Sequence, residues 1–346
     1  MSSPALAEVR KNFSGYRVVL LTIQSADKSQ RIKVGEYAGD THRTPWVELA
    51  MPHLIDEVVT LKGVGDLRYL WELRQYLRTY QFETAIVMSD VCAPRRGRWM
   101  KRFLMRFLLG PVPVLGWRGS SDPVQLKRKG LLKHHVHGPL QFLSEMSPSK
   151  KYKDSDLLFD LRPGHDAIAW ATEWLHENCI CEGKRLVAIA PGSIQPHKRW
   201  PEASFRTLIE KLFSKYDDIF IVIVGTPKDH EIGERFAQLA PDRILNLAGK
   251  SNIAQSAALM ARCTLVLGND GGAMHLADAM GAKVISLVPG IEYPDSIEPW
   301  HNKDLAIRWP VECAPCYSFT SCPEGHNKCM NAIPVSLVFD KFTRIL

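Results

Sequence analysis

Apolar residues recur along this chain in two alternating rhythms. Short apolar-rich runs at Arg17–Ile23, Ile55–Leu61, Thr84–Ser89, Arg185–Ala190, Ile219–Val224 and Ile244–Leu247 predict strands, with Arg17–Ile23 read as buried. Between them, apolar positions at helical spacing predict helices over Pro4–Phe13, Asp66–Tyr80, Asp166–Cys179, Pro201–Tyr216, Glu231–Leu239 and Ile253–Ala261. Pro201 is expected at the first helical position. In Asp66–Tyr80 the stripe of Leu67, Leu70, Trp71, Leu73 and Leu77 predicts core positions. Val114–Trp117 predicts a strand, Trp46–Met51 a short helix and Gly130–Met146 a helical stretch with His134, His135 and His137. Adjacent histidines do not share a helix face, so no metal site is expected there. Strands alternating with helices in this way predict doubly wound parallel sheets, an α/β fold with two Rossmann-like halves.

The most complete unit is Leu265–Gly290. Leu265–Leu267 predicts a strand, Gly268–Gly272 a turn, and Ala273–Met280 a helix closed by Gly281. Val284–Val288 predicts the next strand, stopped by Pro289 and Gly290. A helix that starts on a glycine turn at a strand end offers free N–H groups and a positive dipole end to a phosphate. The structural alternative is that Asp270 merely caps the helix and His275 is packed or solvated.

The turns after three strands, Pro191-Gly192-Ser193, Gly225 and Asp270-Gly271-Gly272, are expected to meet at one crevice. Lys198 and Arg199 lie in the first of these loops and offer positive charge to a diphosphate, unless they are only solvated. The 346 residues predict two domains, bounded at 1–160 and 161–334 with a last helix over 335–346, and 45% hydrophobic content argues against disorder. The net charge of +7 favours an anionic partner. No nucleic-acid-binding motif is present, so nucleic acid is not expected. Arg95–Leu109 mixes Arg95, Arg96, Arg98, Lys101, Arg102 and Arg106 with apolar residues. It is read as a helix with a solvated face or as a contact for anionic lipid. No run is long and apolar enough to span a bilayer, and Met1–Glu8 lacks the pattern of a signal peptide. The expectation is a cytoplasmic protein with its eight cysteines reduced or metal-bound. Cys313, Cys316, Cys322 and Cys329 begin with C-x-x-C spacing, which suits a structural zinc, with reduced or redox-labile thiols as the other reading.

Asn269-Asp270-Gly271-Gly272-Ala273-Met274-His275-Leu276-Ala277 resembles the donor-site motif of glycosyltransferase family 9, the bacterial lipopolysaccharide heptosyltransferases. The family has Ser or Thr where this chain has Gly271. Pro191-Gly192-Ser193 followed by Lys198-Arg199-Trp200-Pro201 and Phe205 resembles a second family segment, and Gly225 to Glu231 a third. The resemblance covers nearly all of residues 160–346 and is weaker over 1–150. It implies a GT-B fold with an acceptor-side N-terminal domain, a donor-binding C-terminal domain, and a last helix packing back across the hinge. It implies Ser193, Lys198, Gly225, Glu231, Asp270, Gly271, Gly272 and His275 as donor-site positions. The implied reaction is inverting transfer of heptose from ADP-heptose to a lipopolysaccharide core sugar, with no required cofactor or metal. The implied place is the cytoplasm, at the inner face of the inner membrane. Alternatives are a non-catalytic or diverged sugar-nucleotide-binding protein, and a GT-B transferase using another nucleotide-sugar.

The resemblance starts at Pro4–Phe13, the helix that in the family follows a first strand and a Gly-Asp loop bearing the base. The expectation is an N-terminal domain lacking that strand, with weakened transfer. Either a start codon is assigned too late, or another carboxylate serves, with Asp90 at a strand end as the candidate.

Overall fold

A computed structural model describes residues 3–24, 49, 53–62, 67–86, 103–115, 127, 134–137, 153–154, 157, 159–180 and 183–346. The chain divides into two compact units, Met1–Asp160 and Leu161–Leu346. Asp90, most of the basic stretch Arg95–Leu109, and the expected helices Trp46–Met51 and Gly130–Met146 lie wholly or largely outside the described residues.

In the first unit α1 (Ser3–Asn12) precedes β1 (Val19–Gln24), which pairs in parallel with β2 (Glu57–Lys62). Helix α2 (Leu67–Arg78) follows, and β3 (Ala85–Ile86) pairs in parallel with β4 (Val114–Leu115) after helix α3 (103–109). Tyr69, Leu70, Leu73 and Leu77 of α2 form one buried stripe against Val59, Leu108 and Leu109. Trp71 does not join it, contrary to the reading of the pattern. It falls outside the buried stripe, is 53% exposed, and has the Arg74 guanidinium 5.6 Å from its ring centroid. Positions 70, 73 and 77 share a face that 71 misses by a third of a turn, and packing against Val59, Leu108 and Leu109 selects that face for burial.

The second unit opens with α4 (Gly164–Glu177) and carries a five-stranded parallel sheet. Its strands are β5 (Arg185–Ala190), β6 (Ile219–Ile223), β7 (Ile244–Asn246), β8 (Leu265–Asn269) and β9 (Val284–Leu287). The spatial order is β7-β6-β5-β8-β9, so the chain winds outward from β5 on one side and then returns to its other side. The crossovers include α5 (Glu202–Lys215), α6 (His230–Ala237), α7 (Ile253–Met260) and α8 (Gly272–Ala279). Strands β5 and β8 are buried almost throughout, which is why they read as unbroken apolar runs.

Two local expectations change. Pro201 has ψ 140°, outside the helical range, so it precedes α5 instead of opening it. Strand β8 extends through Gly268 and Asn269, where the glycine pattern had suggested a turn. Gly268 pairs with Ala190 of β5, and a Cβ there would stand 2.6 Å from the Ala190 carbonyl oxygen. The glycine thus serves close approach of two strands. Gly281 does end α8 with φ +81°, as its sequence position predicts.

Trp200 and Phe205 meet edge to face at 4.9 Å between ring centroids in the core under the sheet. The last helices are α9 (Lys328–Asn331) and α10 (Val335–Thr343). Val338 and Phe342 of α10 are fully buried in this unit's own core, beside α5. The segment after β9 is organised by Arg308, which donates to the carbonyls of Pro289, Glu292 and Tyr293 and pairs with the buried Glu298 carboxylate.

Candidate functional site

In the order β7-β6-β5-β8-β9 the winding reverses between β5 and β8, and ligands of such sheets bind outside the carboxyl ends of the strands at that reversal. Three loops leave the adjacent carboxyl ends of β6, β5 and β8. The β5 loop, Pro191 to Trp200, carries Ser193 and a short 3-10 turn at Pro196–Lys198. The β8 exit is reduced to Asp270 and Gly271, and α8 begins at Gly272.

The first N–H groups of α8 have no partner within the helix. Asp270 does not cap them: the N-cap is Gly271, with no side-chain cap bond. Capping α8 is therefore not what Asp270 does. Its carboxylate instead faces Lys198, whose Nζ stands 3.2 Å from Asp270 Oδ2, with side chains only 15% and 6% exposed. On its other oxygen, Asp270 Oδ1 lies 3.7 Å from His275 Nε2, an ion pair whenever that imidazole is protonated. The carboxylate thus lies between two groups on opposite sides of the loop exit. A Cβ at Gly272 would meet nothing within 4 Å, so the space before the helix is open. An anion approaching there meets an ammonium, a dipole end and free N–H groups together.

The other expected positions are placed as follows. Ser193 is half-buried, and its carbonyl accepts from Arg199 Nε at 2.9 Å and Nη2 at 2.6 Å. Arg199 therefore braces the loop with two of its donors. Gly225 ends the β6 side and is exposed, and Glu231 is exposed in the first turn of α6. The loops are packed through Asp229. Its Oδ2 accepts from the Thr226 N–H and hydroxyl, each at 2.8 Å, and a Cβ at Gly192 would lie 2.1 Å from its Oδ1. Gly192 and Gly225 are thus glycines because a buried carboxylate occupies the space beside them. Thr226 and Asp229 form a capping box, whose spacing is readable from sequence but was not singled out.

Cys313, Cys316, Cys322 and Cys329 lie close enough together for their charges to interact. Burial pushes the Cys329 thiol up, and the neighbouring Cys322, Cys313 and Cys316 add to it. The Asn327 N–H donates to Cys322 Sγ at 3.4 Å. Among the described residues, no three His, Cys, Asp or Glu side chains stand in a metal-ligating arrangement. Nor is any described helix long and apolar enough to cross a membrane.

The sequence model of glycosyltransferase family 9 (heptosyltransferase) matches residues 70–326. The chain belongs to this family. Among curated relatives, it is 34% identical over 260 residues to lipooligosaccharide heptosyltransferase 2 of Haemophilus influenzae, covering 71% of each chain. It is 31% identical over 272 residues to the enzyme of the same name from Haemophilus ducreyi, covering 75% of each. Among solved structures, Escherichia coli ADP-heptose lipopolysaccharide heptosyltransferase II superposes with a TM-score of 0.65 at 16% identity, over 99% of this chain and 93% of that one. A family 9 glycosyltransferase from Veillonella parvula superposes with a TM-score of 0.69 at 18% identity, over 99% and 92%. The family 9 chain is therefore a glycosyltransferase of the GT-B fold, and its doubly wound second unit is the α/β half that carries all three family segments.

Proposed function

We propose that this protein transfers heptose from ADP-heptose to a lipopolysaccharide core acceptor with inversion at the anomeric carbon. The observation that carries the reading is the Lys198–Asp270 pair at the open N-terminus of α8. In this reading the second unit binds the donor and the first presents the acceptor. The acceptor hydroxyl attacks the anomeric carbon, and the bond from that carbon to the diphosphate oxygen breaks. A carboxylate takes the hydroxyl proton, with Asp90 as its candidate. The electron pair leaves on the diphosphate, where the Lys198 ammonium and the N–H groups of Gly272 and Ala273 stabilise it. Ser193, Gly225, Glu231, Gly271 and His275 line the same donor site. A heptosyltransferase of this fold has been solved with ADP and another time with ADP-2-deoxy-2-fluoro heptose, which supports ADP as the nucleotide.

The test is a panel of ADP-, UDP- and GDP-linked sugars, with product mass and anomeric configuration read on a core oligosaccharide acceptor. ADP-heptose is expected to bind in preference and to turn over. Preference for a UDP- or GDP-sugar would overturn the donor assignment, and tight donor binding without transfer would overturn the reaction.

The same reading puts the protein in the cytoplasm at the inner face of the inner membrane, with the basic stretch Arg95–Leu109 against anionic lipid. For Cys313, Cys316, Cys322 and Cys329 the two readings are reduced or redox-labile thiols and a structural zinc, which suits four thiolates but needs a ligating arrangement that the described residues do not show. Metal analysis of protein purified without chelator, showing less than about one zinc per chain, would remove that ion.

A further inference from the structure

The donor site rests on the loop that carries Ser193 and Lys198, and one buried side chain ties both ends of that loop. Asn269 is the last residue of β8 and is 2% exposed. Its Nδ2 donates to the Pro191 carbonyl at 2.7 Å and reaches the Gly192 carbonyl at 3.5 Å. Its Oδ1 accepts the Trp200 N–H at 2.8 Å. Pro191 is where the loop leaves β5, and Trp200 is where it returns to the core. Trp200 is itself anchored, since its indole N–H donates to the Ile333 carbonyl at 3.1 Å. Directly after Asn269 comes Asp270, the partner of Lys198.

We propose that Asn269 is a positioning residue for donor binding: it clamps the Pro191–Trp200 loop at both ends so that Lys198 stands over the diphosphate site. The inference rests on the donor-site reading above. The chemistry demands a carboxamide. One end of the side chain must donate to a carbonyl while the other accepts from an N–H, within a buried space. Aspartate has the same shape but only accepts, so its charge would face the Pro191 and Gly192 carbonyl oxygens. Serine is too short to span the two contacts. Asn269 sits behind the loop, so its effect on a ligand has to pass through the residues that the loop presents.

The test is a double-mutant cycle on ADP binding, read by calorimetry on the full chain. The proteins are the parent, Asn269→Asp, Lys198→Ala and the double variant, with Asn269→Ser as a second substitution. Urea unfolding of each gives stability separately from binding. A positioning role predicts that either change at 269 weakens ADP binding about tenfold or more in the parent. It predicts that the same change costs about threefold or less once Lys198 is alanine, because residues acting through one another are not additive. Equal fold-losses in both backgrounds would mean a general structural role and overturn the proposal. Parent-like affinity in both substitutions would overturn it too. Parent-like ADP affinity in Lys198→Ala alone would instead overturn the donor-site reading on which the inference stands.

Discussion

Lys198→Met removes the ammonium that pairs with Asp270 just before α8 and keeps most of the side-chain volume. Two quantities should change, for different reasons. For binding, the loss is a charge-assisted hydrogen bond to the diphosphate, about 1.5–3 kcal/mol, or roughly ten- to 150-fold in ADP affinity. Asp270, only 6% exposed, then faces the anion without its cation, which pushes the value toward the upper end. For stability, breaking a fully buried pair costs about 3–5 kcal/mol because the remaining charge is uncompensated. Lys198 keeps 15% exposure, so water reaches the pair and about 1–2 kcal/mol is expected. The double variant Lys198→Met/Asp270→Asn separates the two effects. It removes both charges, so most of the stability returns, while ADP affinity stays low because the ammonium is still missing. Calorimetry with ADP and urea unfolding of the three proteins check this. ADP affinity within about twofold of the parent in Lys198→Met would refute the assignment of this lysine to the diphosphate. Affinity regained in the double variant would refute the argument that the ammonium itself is what binds.

Gly268→Ala should destabilise the second unit by about 1–3 kcal/mol in urea, since the new methyl falls 2.6 Å from the Ala190 carbonyl oxygen and must push β5 from β8. Gly272→Ala, with open space around its Cβ, should leave the unfolding midpoint nearly unchanged. The Arg185 hydrogen bond holds the Asp218 carboxyl below the usual carboxylate range. A depressed folded value means that its stabilisation is full above the unfolded carboxylate value and is lost as pH falls through the folded one. Asp218→Asn should therefore flatten the acid limb of the stability profile below about pH 4 and leave the limb above neutrality as it is. Burial pushes the Cys263 thiol up to about 12. At neutral pH native protein should take up iodoacetamide at the exposed Cys179 and spare Cys263, as peptide mapping would show.

Much of the second unit was written in local pattern. Continuous apolar runs marked β5, β6 and β8 because both faces of the sheet are covered, and that burial leaves no polar alternation to confuse them. Gly281 marked the end of α8 because a positive φ is a backbone property that a local sequence can carry. The family segments singled out Ser193, Lys198 and Asp270, and the fold brings Lys198 and Asp270 into contact. The side of α2 that Trp71 would take was not legible. Five apolar residues were more than one helix face could bury, and only the packing of β2 and α3 chose among them. Gly268 read as a turn because glycine's freedom and its small size look alike in sequence. Only the neighbouring carbonyl of Ala190 shows that size was the reason. Asp270 was compatible with capping α8 or with a donor site, and its pairing with the ammonium of Lys198, 72 residues away along the chain, is a product of the fold alone. The role of Asn269 was invisible for the same cause: a buried polar group takes its meaning from its partners, and Pro191 and Trp200 are brought to it by the pairing of β5 with β8.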